Sequence, residues 1–300
     1  METDRNVRID PHSLYEIEKR RAGCRFPFFC YCLSFGGEGE GLVPLHWHND
    51  MEIFYTEAAG ILYVNDRTCP VEPGDIAFIN PGELHRTSRL SAGDMVHIVF
   101  DLSLLRTPDP HGGINEVIDD LAARKTRIRT RAERGTPLYE KLLPLIGRLT
   151  EYVEVPVPFG RESCRIQSAL YALFSVFFEE DCFEEADESA LYGVRHVTGI
   201  MEYIADNYQS PLSVGDLAAH VNLSETYIYQ LFRSYVSATP VSYINSVRIR
   251  EAYRLLEEGR NVTETAEAVG FTSVSYFIRL FREATGQTPH QWLKNKKPRV

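Results

Sequence analysis

The chain has 300 residues, 44% of them hydrophobic and 25% charged, and a formal net charge of −10. That length suggests about two domains, and the balance is that of a globular chain rather than a disordered or fibrous one. Its longest apolar run, residues 171–178, is far too short to span a bilayer. No charged start leads into an apolar core and a cleavage site, so the sequence reads as cytoplasmic, with no membrane segment.

From about residue 26 to residue 100 the pattern is that of β-structure. Short apolar runs at 52–55, 61–64, 76–79 and 96–100 alternate with Gly, Pro, Asn and Asp. Regular short strands with turn signals suggest a sandwich or barrel. Asn65-Asp66 reads as a hairpin turn. Inside this stretch His46-Trp47-His48 is followed by Glu52, and then by Pro81-Gly82-Glu83-Leu84-His85. Residues 46, 48 and 52 share parity, so one continuous strand would turn them to one side. Two imidazoles and a carboxylate at that spacing make a facial set for iron, manganese, nickel or zinc, and His85 can complete it. The alternative is a polar pocket in which His46, His48, Glu52 and His85 hydrogen-bond an organic ligand. His97 reads as a satisfied barrel residue, and Trp47 as packing on the far side of its strand. With Gly41 before, Gly60 after and Pro73-Gly74-Asp75, the stretch resembles the two motifs of the cupin barrel. The second motif is shifted by one residue from the usual enzyme form. The cofactor is left open, with a divalent transition metal in this pocket as the candidate.

From residue 112 to about 187 the pattern turns helical. Ile114, Val117, Ile118 and Leu121 repeat at three and four. Leu138, Leu142, Leu145, Ile146 and Leu149 do so again after Thr136-Pro137, and residues 161–183 form a third candidate helix. These helices are expected to pack on the barrel and on a second subunit, giving a homodimer. The basic run from Arg124 to Arg134 reads as a solvated helix end or loop, and the acidic stretch from Glu179 to Glu188 as an exposed linker. Six cysteines, Cys24, Cys30, Cys32, Cys69, Cys164 and Cys182, form no C-x-x-C pair and read as reduced thiols.

The last third carries one pattern twice. Ser224, Tyr227, Leu231, Phe232, Arg233, Thr239 and Pro240 recur 49 residues on as Ser273, Tyr276, Leu280, Phe281, Arg282, Thr288 and Pro289. Such a repeat defines the building unit. Each copy has the layout of a helix-turn-helix. Ser213 with Asp216 caps the first helix of copy one, Asn222 turns, and Ser224 caps the second. In copy two Thr263 is the expected cap and Gly270 the turn, with Phe271 plugging between the helices. Residues 241–256 read as one helix joining the copies. From 211 to 300 there are 11 Lys/Arg against 8 Asp/Glu, a balance of +3, which leaves −13 on the rest. Local sign matters more than the total for phosphate binding.

This stretch resembles the DNA-binding domain of the AraC/XylS family of bacterial transcription regulators. The residues that carry the likeness are Leu217-Ala218, Leu223-Ser224, Leu231-Phe232-Arg233, Pro240, Arg248, Ala252, Leu255-Leu256, Val269-Gly270-Phe271, Tyr276-Phe277, Phe281-Arg282 and residues 286–289. Thr265 and Leu293 depart from it, standing where isoleucine and arginine are usual. Cupin-like barrels commonly precede this domain as effector sensors. The resemblance therefore implies an α+β multidomain protein. Its parts would be a barrel over 1–111, a helical connector over 112–190 and two helix-turn-helix units over 191–300. The expected function is sequence-specific transcription control by a small molecule, such as a sugar or related metabolite, with double-stranded DNA and RNA polymerase as partners and no enzymatic activity. A metal-dependent cupin enzyme and an architectural DNA-bending protein are the other classes weighed. Thr226, Tyr229 and Gln230 would face DNA from copy one, and Ser275, Ile278 and Arg279 from copy two. Ser224, Arg233, Ser273 and Arg282 accompany them. One helix joins the units, so the reading helices should enter successive major grooves, about 34 Å apart.

Overall fold

The structure is a computed structural model that describes residues 26–35, 43, 45–88, 90–108, 113–153 and 160–296. It divides into two compact units between Leu191 and Tyr192. The first holds strands β1 (Phe28–Phe35), β2 (Met51–Thr56), β3 (Gly60–Val64), β4 (Arg67–Val71), β5 (Ile76–Ile79), β6 (His85–Ser88) and β7 (Gly93–Phe100). Then follow α1 (Gly113–Ala122), β8 (Thr126–Ile128), β9 (Arg131–Ala132), α2 (Pro137–Thr150), α3 (Arg161–Glu179) and β10 (Phe183–Glu185). One sheet has the order β1-β7-β2-β5-β9 and the other β4-β3-β6, all antiparallel.

Strand alternation sorts the side chains into two cores. Met51 and Ile53 of β2 join Ile98 and Phe100 of β7 on one face of the larger sheet, where α1, α2 and α3 cover them. Phe54 and Met95 lie on the opposite face, packed against Leu62, Val64 and Val71 of the smaller sheet. Glu52 and His97 share the parity of that inner face. The predicted hairpin turn is present, with Asn65 left-handed at φ 54°. Thr136 caps α2 by accepting from the Tyr139 N–H, with Pro137 in the first turn.

Four expectations for this unit are corrected. His46 and His48 do not lie on a continuous strand with Glu52: His46 forms an isolated bridge to His85, and β2 begins only at Met51. The helix expected over 161–183 stops at Glu179, because Asp181 turns left-handed at φ 50° and Phe183 enters β10. The acidic stretch is therefore not an open linker: β10 pairs with β8 across it. Only part of the basic run is a solvated helix end or loop: Arg124 and Lys125 form the turn after α1 and Arg134 is exposed, but Arg127 and Arg131 lie on β8 and β9. Arg127 sits buried between Glu83, at 3.2 Å, and Glu184, at 2.9 Å, and Arg131 meets Glu133 and Asp75. Glu83 and Glu184, far along the chain, fold Arg127 inward, while Arg131 stays partly exposed between Asp75 and its near neighbour Glu133. Most apolar residues of α2 and α3 are used against the sheet, which leaves Leu143, Tyr171 and Phe178 as their exposed large ones.

Helix α4 (Glu188–Asn207) starts just before that division, and the second unit holds the rest of it with α5 (Val214–His220), α6 (Glu225–Leu231), α7 (Pro240–Glu257), α8 (Val262–Ala268), α9 (Val274–Thr285) and α10 (Pro289–Lys296). Ser213 and Asp216 form the expected capping box. Ser224 and Ser273 cap α6 and α9 by accepting from Tyr227 and Tyr276 N–H groups. The cap of α8 is Asn261, not Thr263: its carboxamide oxygen takes the Glu264 N–H at 2.9 Å. Asn is among the best cap residues, and this one reaches the N3 donor from outside the helix. The copies differ at their ends. The first runs past α6 into a π-helical turn, Phe232–Val236, closed by left-handed Ser237; the second closes at Gly286.

Candidate functional site

Two sites can be built, one in each unit. In the first, Glu52 is fully buried on β2, and three imidazoles surround it. His48 Nε2 lies 2.9 Å and His85 Nε2 3.1 Å from Glu52 Oε2, and His97 Nδ1 lies 2.6 Å from Oε1. His46 is held beside His85 by two backbone hydrogen bonds, 3.1 and 2.9 Å, and their rings are 4.0 Å apart. A turn positions His85. Gly82, left-handed at φ 76°, donates its N–H to the His48 carbonyl at 2.7 Å. The Glu83 carboxylate accepts from Asn80 N–H at 2.8 Å and from Arg127 Nε.

The ring nitrogens that face away from Glu52 decide the chemistry. His48 Nδ1 lies 3.1 Å from the Asp50 carbonyl, and His85 Nδ1 2.9 Å from that of Glu83. A carbonyl can only accept, so each Nδ1 carries the proton. Each Nε2 then meets Glu52 either as the second N–H of an imidazolium or as a lone pair aimed at a shared cation. Without a cation the cluster is an ion pair. Burial pushes the Glu52 carboxyl up, yet the hydrogen bonds from His48, His85 and His97 hold it well below the usual carboxylate range. Burial pushes His85 down, and the Glu52 carboxylate more than reverses that.

The donor set also fits a metal. Ligand atoms of His46, His48, Glu52 and His85 all lie within 4.8 Å of one another. Bonds of about 2.0–2.2 Å place ligands up to about 4.4 Å apart across a metal, so closure needs a few tenths of an ångström. Backbone carbonyls on Nδ1 are the outer partners that metal-binding histidines use. His97, read from the sequence as a barrel residue, joins the cluster through Glu52, and its Nε2 is buried with no hydrogen-bond partner among the described residues. Tyr31 stacks on it, centroids 4.6 Å apart. The alternation Met95, His97, Val99 on an apolar strand was the signal that could have found it.

In the second unit Thr226, Tyr229 and Gln230 are exposed on α6, and Ser275 and Arg279 on α9. Arg233 and Arg282 are exposed as well. Ile278 is different: it is half-buried against the core of its own unit. Arg279 is 62% exposed, lies 3.3 Å from Glu283 and sits over the Tyr276 ring. Inward, Ile228, Leu231, Phe232, Phe277 and Phe281 are buried. Among the described residues no helix is long and apolar enough to cross a membrane.

A barrel with a polar, ligand-competent pocket and a tandem helix-turn-helix define a DNA-binding regulator that takes a small-molecule signal. Comparison with known proteins agrees. A family model of an AraC-like ligand binding domain matches residues 30–105, and one of a helix-turn-helix domain matches residues 217–295. The chain is 24% identical to an uncharacterized HTH-type transcriptional regulator, YdeC of Bacillus subtilis, over 97% of this chain and 99% of that protein. It is 24% identical to the Msm operon regulatory protein of Streptococcus mutans, over 80% of this chain and 82% of that one. Among solved structures it is similar to ToxT from Vibrio cholerae, with 16% identity, a TM-score of 0.47, and 89% and 97% of the two chains covered. The chain belongs to the AraC family of transcriptional regulators, with a ligand-binding N-terminal domain and a helix-turn-helix DNA-binding domain. That family is not enzymatic.

Proposed function

We propose that the Glu52 pocket is the sensor, and that what it holds sets DNA binding by the second unit. One observation carries this: His48, His85 and His97 converge on one buried carboxylate with His46 beside them, while the deeper interior is Phe54, Leu62, Val64, Ala77 and Ile79. Burying charge is costly, and a barrel core alone has no need of it. His46, His48, Glu52 and His85 would hold a divalent transition metal, and His97 orients Glu52. The metal would supply a Lewis-acidic point for an oxygen donor. Hydroxyl-rich effectors of sugar type suit this, since a hydroxyl can also donate to His97 Nε2. In the second unit Thr226, Tyr229, Gln230, Ser275 and Arg279 read base edges, with Ile278 packing beside them. Ser224, Arg233, Ser273 and Arg282 grip phosphate. The regulator works in the cytoplasm as a homodimer, paired through the exposed apolar residues of α2 and α3, and RNA polymerase is its downstream partner.

Metal analysis tests the sensor. Purified full-length protein should carry close to one equivalent of transition metal, and a His46→Ala/His48→Ala double variant should carry none. Stripping the metal should change affinity for an operator duplex selected from a random pool. Wild type that carries no metal and takes none up when it is added would sink the metal and leave an organic pocket; bound metal with unchanged DNA affinity would leave it a structural group.

A further inference from the structure

Arg248 lies in the middle of α7, the helix that joins the two helix-turn-helix units. It is half-buried, and its contacts reach three separate stretches of the chain. Nε donates to the Tyr208 carbonyl at 2.8 Å, and an Nη donates to the Ser210 carbonyl at 2.9 Å. Its guanidinium also stands 5.5 Å from the Phe271 ring centroid. Among the described residues no carboxylate pairs with it. Burial lowers its pKa from the ordinary arginine value, yet an arginine stays charged. A cation is thus held by two carbonyls just past the C-terminus of α4 and by a ring of a distant segment, so one side chain ties three stretches of the chain together.

What those carbonyls belong to gives the arrangement its meaning. Tyr208 to Ser210 connects α4 to the first helix-turn-helix, which starts at Ser213. Phe271 closes the turn of the second, and is buried in that unit's core. The same segment touches that turn directly: a Cβ on Gly270, left-handed at φ 88°, would lie 2.5 Å from the Tyr208 carbonyl oxygen. Tyr208 itself packs against the core of the second unit. A helix alone joins two bodies at its ends and leaves each free to pivot. Here its middle grips the lead-in of one unit against the turn of the other. Three attachments fix an orientation that two do not.

We propose that Arg248 is a positioning residue that sets the spacing and phase between the two DNA segments the protein reads. This rests on the reading that both units contact bases. One inserted base pair moves the second segment by about 3.4 Å and turns it by about a tenth of a turn, so a locked pair of readers must reject it. Lysine offers no planar fork for two carbonyls. The inference reaches past base contacts, because the role assigned to Arg248 rests on its bonds to the Tyr208 and Ser210 carbonyls within the protein.

The test uses the full chain and a duplex selected by the wild-type protein from a random pool. Its two read segments are located with single-base variants, then separated by one added or one removed base pair. Wild type should lose about tenfold or more in affinity at the altered spacings, the scale of a mismatched site. Arg248→Ala should lose no more than about twofold there, while duplexes with only one segment intact bind both proteins alike. Arg248→Met keeps the aliphatic stem over Phe271 and guards against misfolding; circular dichroism verifies both. An Arg248 variant that keeps the wild-type spacing profile and binds every duplex equally less overturns the inference. So does loss of helical signal in both variants, since the residue then serves folding. Wild type indifferent to spacing overturns the two-reader reading along with it; wild-type discrimination shared by the variants overturns this inference alone.

Discussion

Burial would make the Glu52 carboxyl a weaker acid, and the imidazoles of His48, His85 and His97 reverse the sign. Glu52→Gln keeps the shape and removes the charge that these rings share. In metal-free protein it should cost about 3–5 kcal/mol, the scale of breaking a buried pair. Urea unfolding followed by Trp47 fluorescence, in a Trp292→Phe background, reads this in the barrel unit; an unshifted midpoint would mean the rings are not coupled to Glu52. Thr265 gives the opposite case. It is fully buried in α8, and its hydroxyl has no partner among the described residues. Thr265→Val should stabilise the second unit by about 1–3 kcal/mol, the cost of an unmet buried polar group. A lower melting temperature would show that the hydroxyl is satisfied in solution. Arg279, exposed and beside Glu283, is the residue on which base reading is most directly tested. Arg279→Ala should cost about 1–3 kcal/mol at one base position, not evenly over the site. Binding to every single-base operator variant separates the two outcomes.

Elements were legible where their signals are local. Ser213 with Asp216, Ser224 and Ser273 sit in sequence next to the helices they cap, and Thr136-Pro137 next to α2, so the boundaries could be read directly. Asn261 was missed because Thr263 also has a capping side chain, and only the backbone shows which residue is outside the helix. The failures in the first unit share another cause. Arg127 and Glu184 look like loop and linker residues until they pair with each other and with Glu83 across the chain, and Phe183 until the chain turns back at Asp181 onto the rings of Phe174, Phe177 and Phe178. The pocket was found through parity on a strand that is not continuous. It forms because the bridge between His46 and His85 does the work assigned to the strand. Gly270 was read correctly as a turn, but the sequence does not show what crowds it. Gly270→Ala must place a Cβ against the Tyr208 and Gln209 carbonyls in a left-handed conformation. The left-handed strain alone is about 1–2 kcal/mol. The variant should therefore melt earlier than wild type by more than that strain accounts for, and equal melting would show the segment to be movable.

At the scale of the molecule the charge is divided. The stretch from 211 on is net positive within a chain of −10, so DNA binding should weaken steeply with salt while the rest of the surface repels the duplex. Repulsion of that kind is the same whatever the pocket holds, so a signal from the barrel has to change the balance of states, which makes the sensor reading a thermodynamic claim. If the pocket's occupant alters DNA affinity by some factor, DNA must alter the occupant's affinity by the same factor. On the proposed reading a metal is the probe, because a site built from His46, His48, Glu52 and His85 would be loaded and stripped without knowing the effector. Four measurements close the cycle: operator affinity with and without metal, and metal affinity with and without operator. A coupling of about 5- to 150-fold is the ordinary range for such linkage. The two ratios should agree within error in wild type and both fall to unity in Glu52→Gln, which removes a ligand and leaves α5 to α10 untouched. Salt should shift both operator affinities together and leave the ratio nearly constant if, as proposed, the phosphate contacts belong to the second unit. A ratio of one in wild type, at a metal concentration that fills the site, would mean that the metal is structural and that the barrel senses something else.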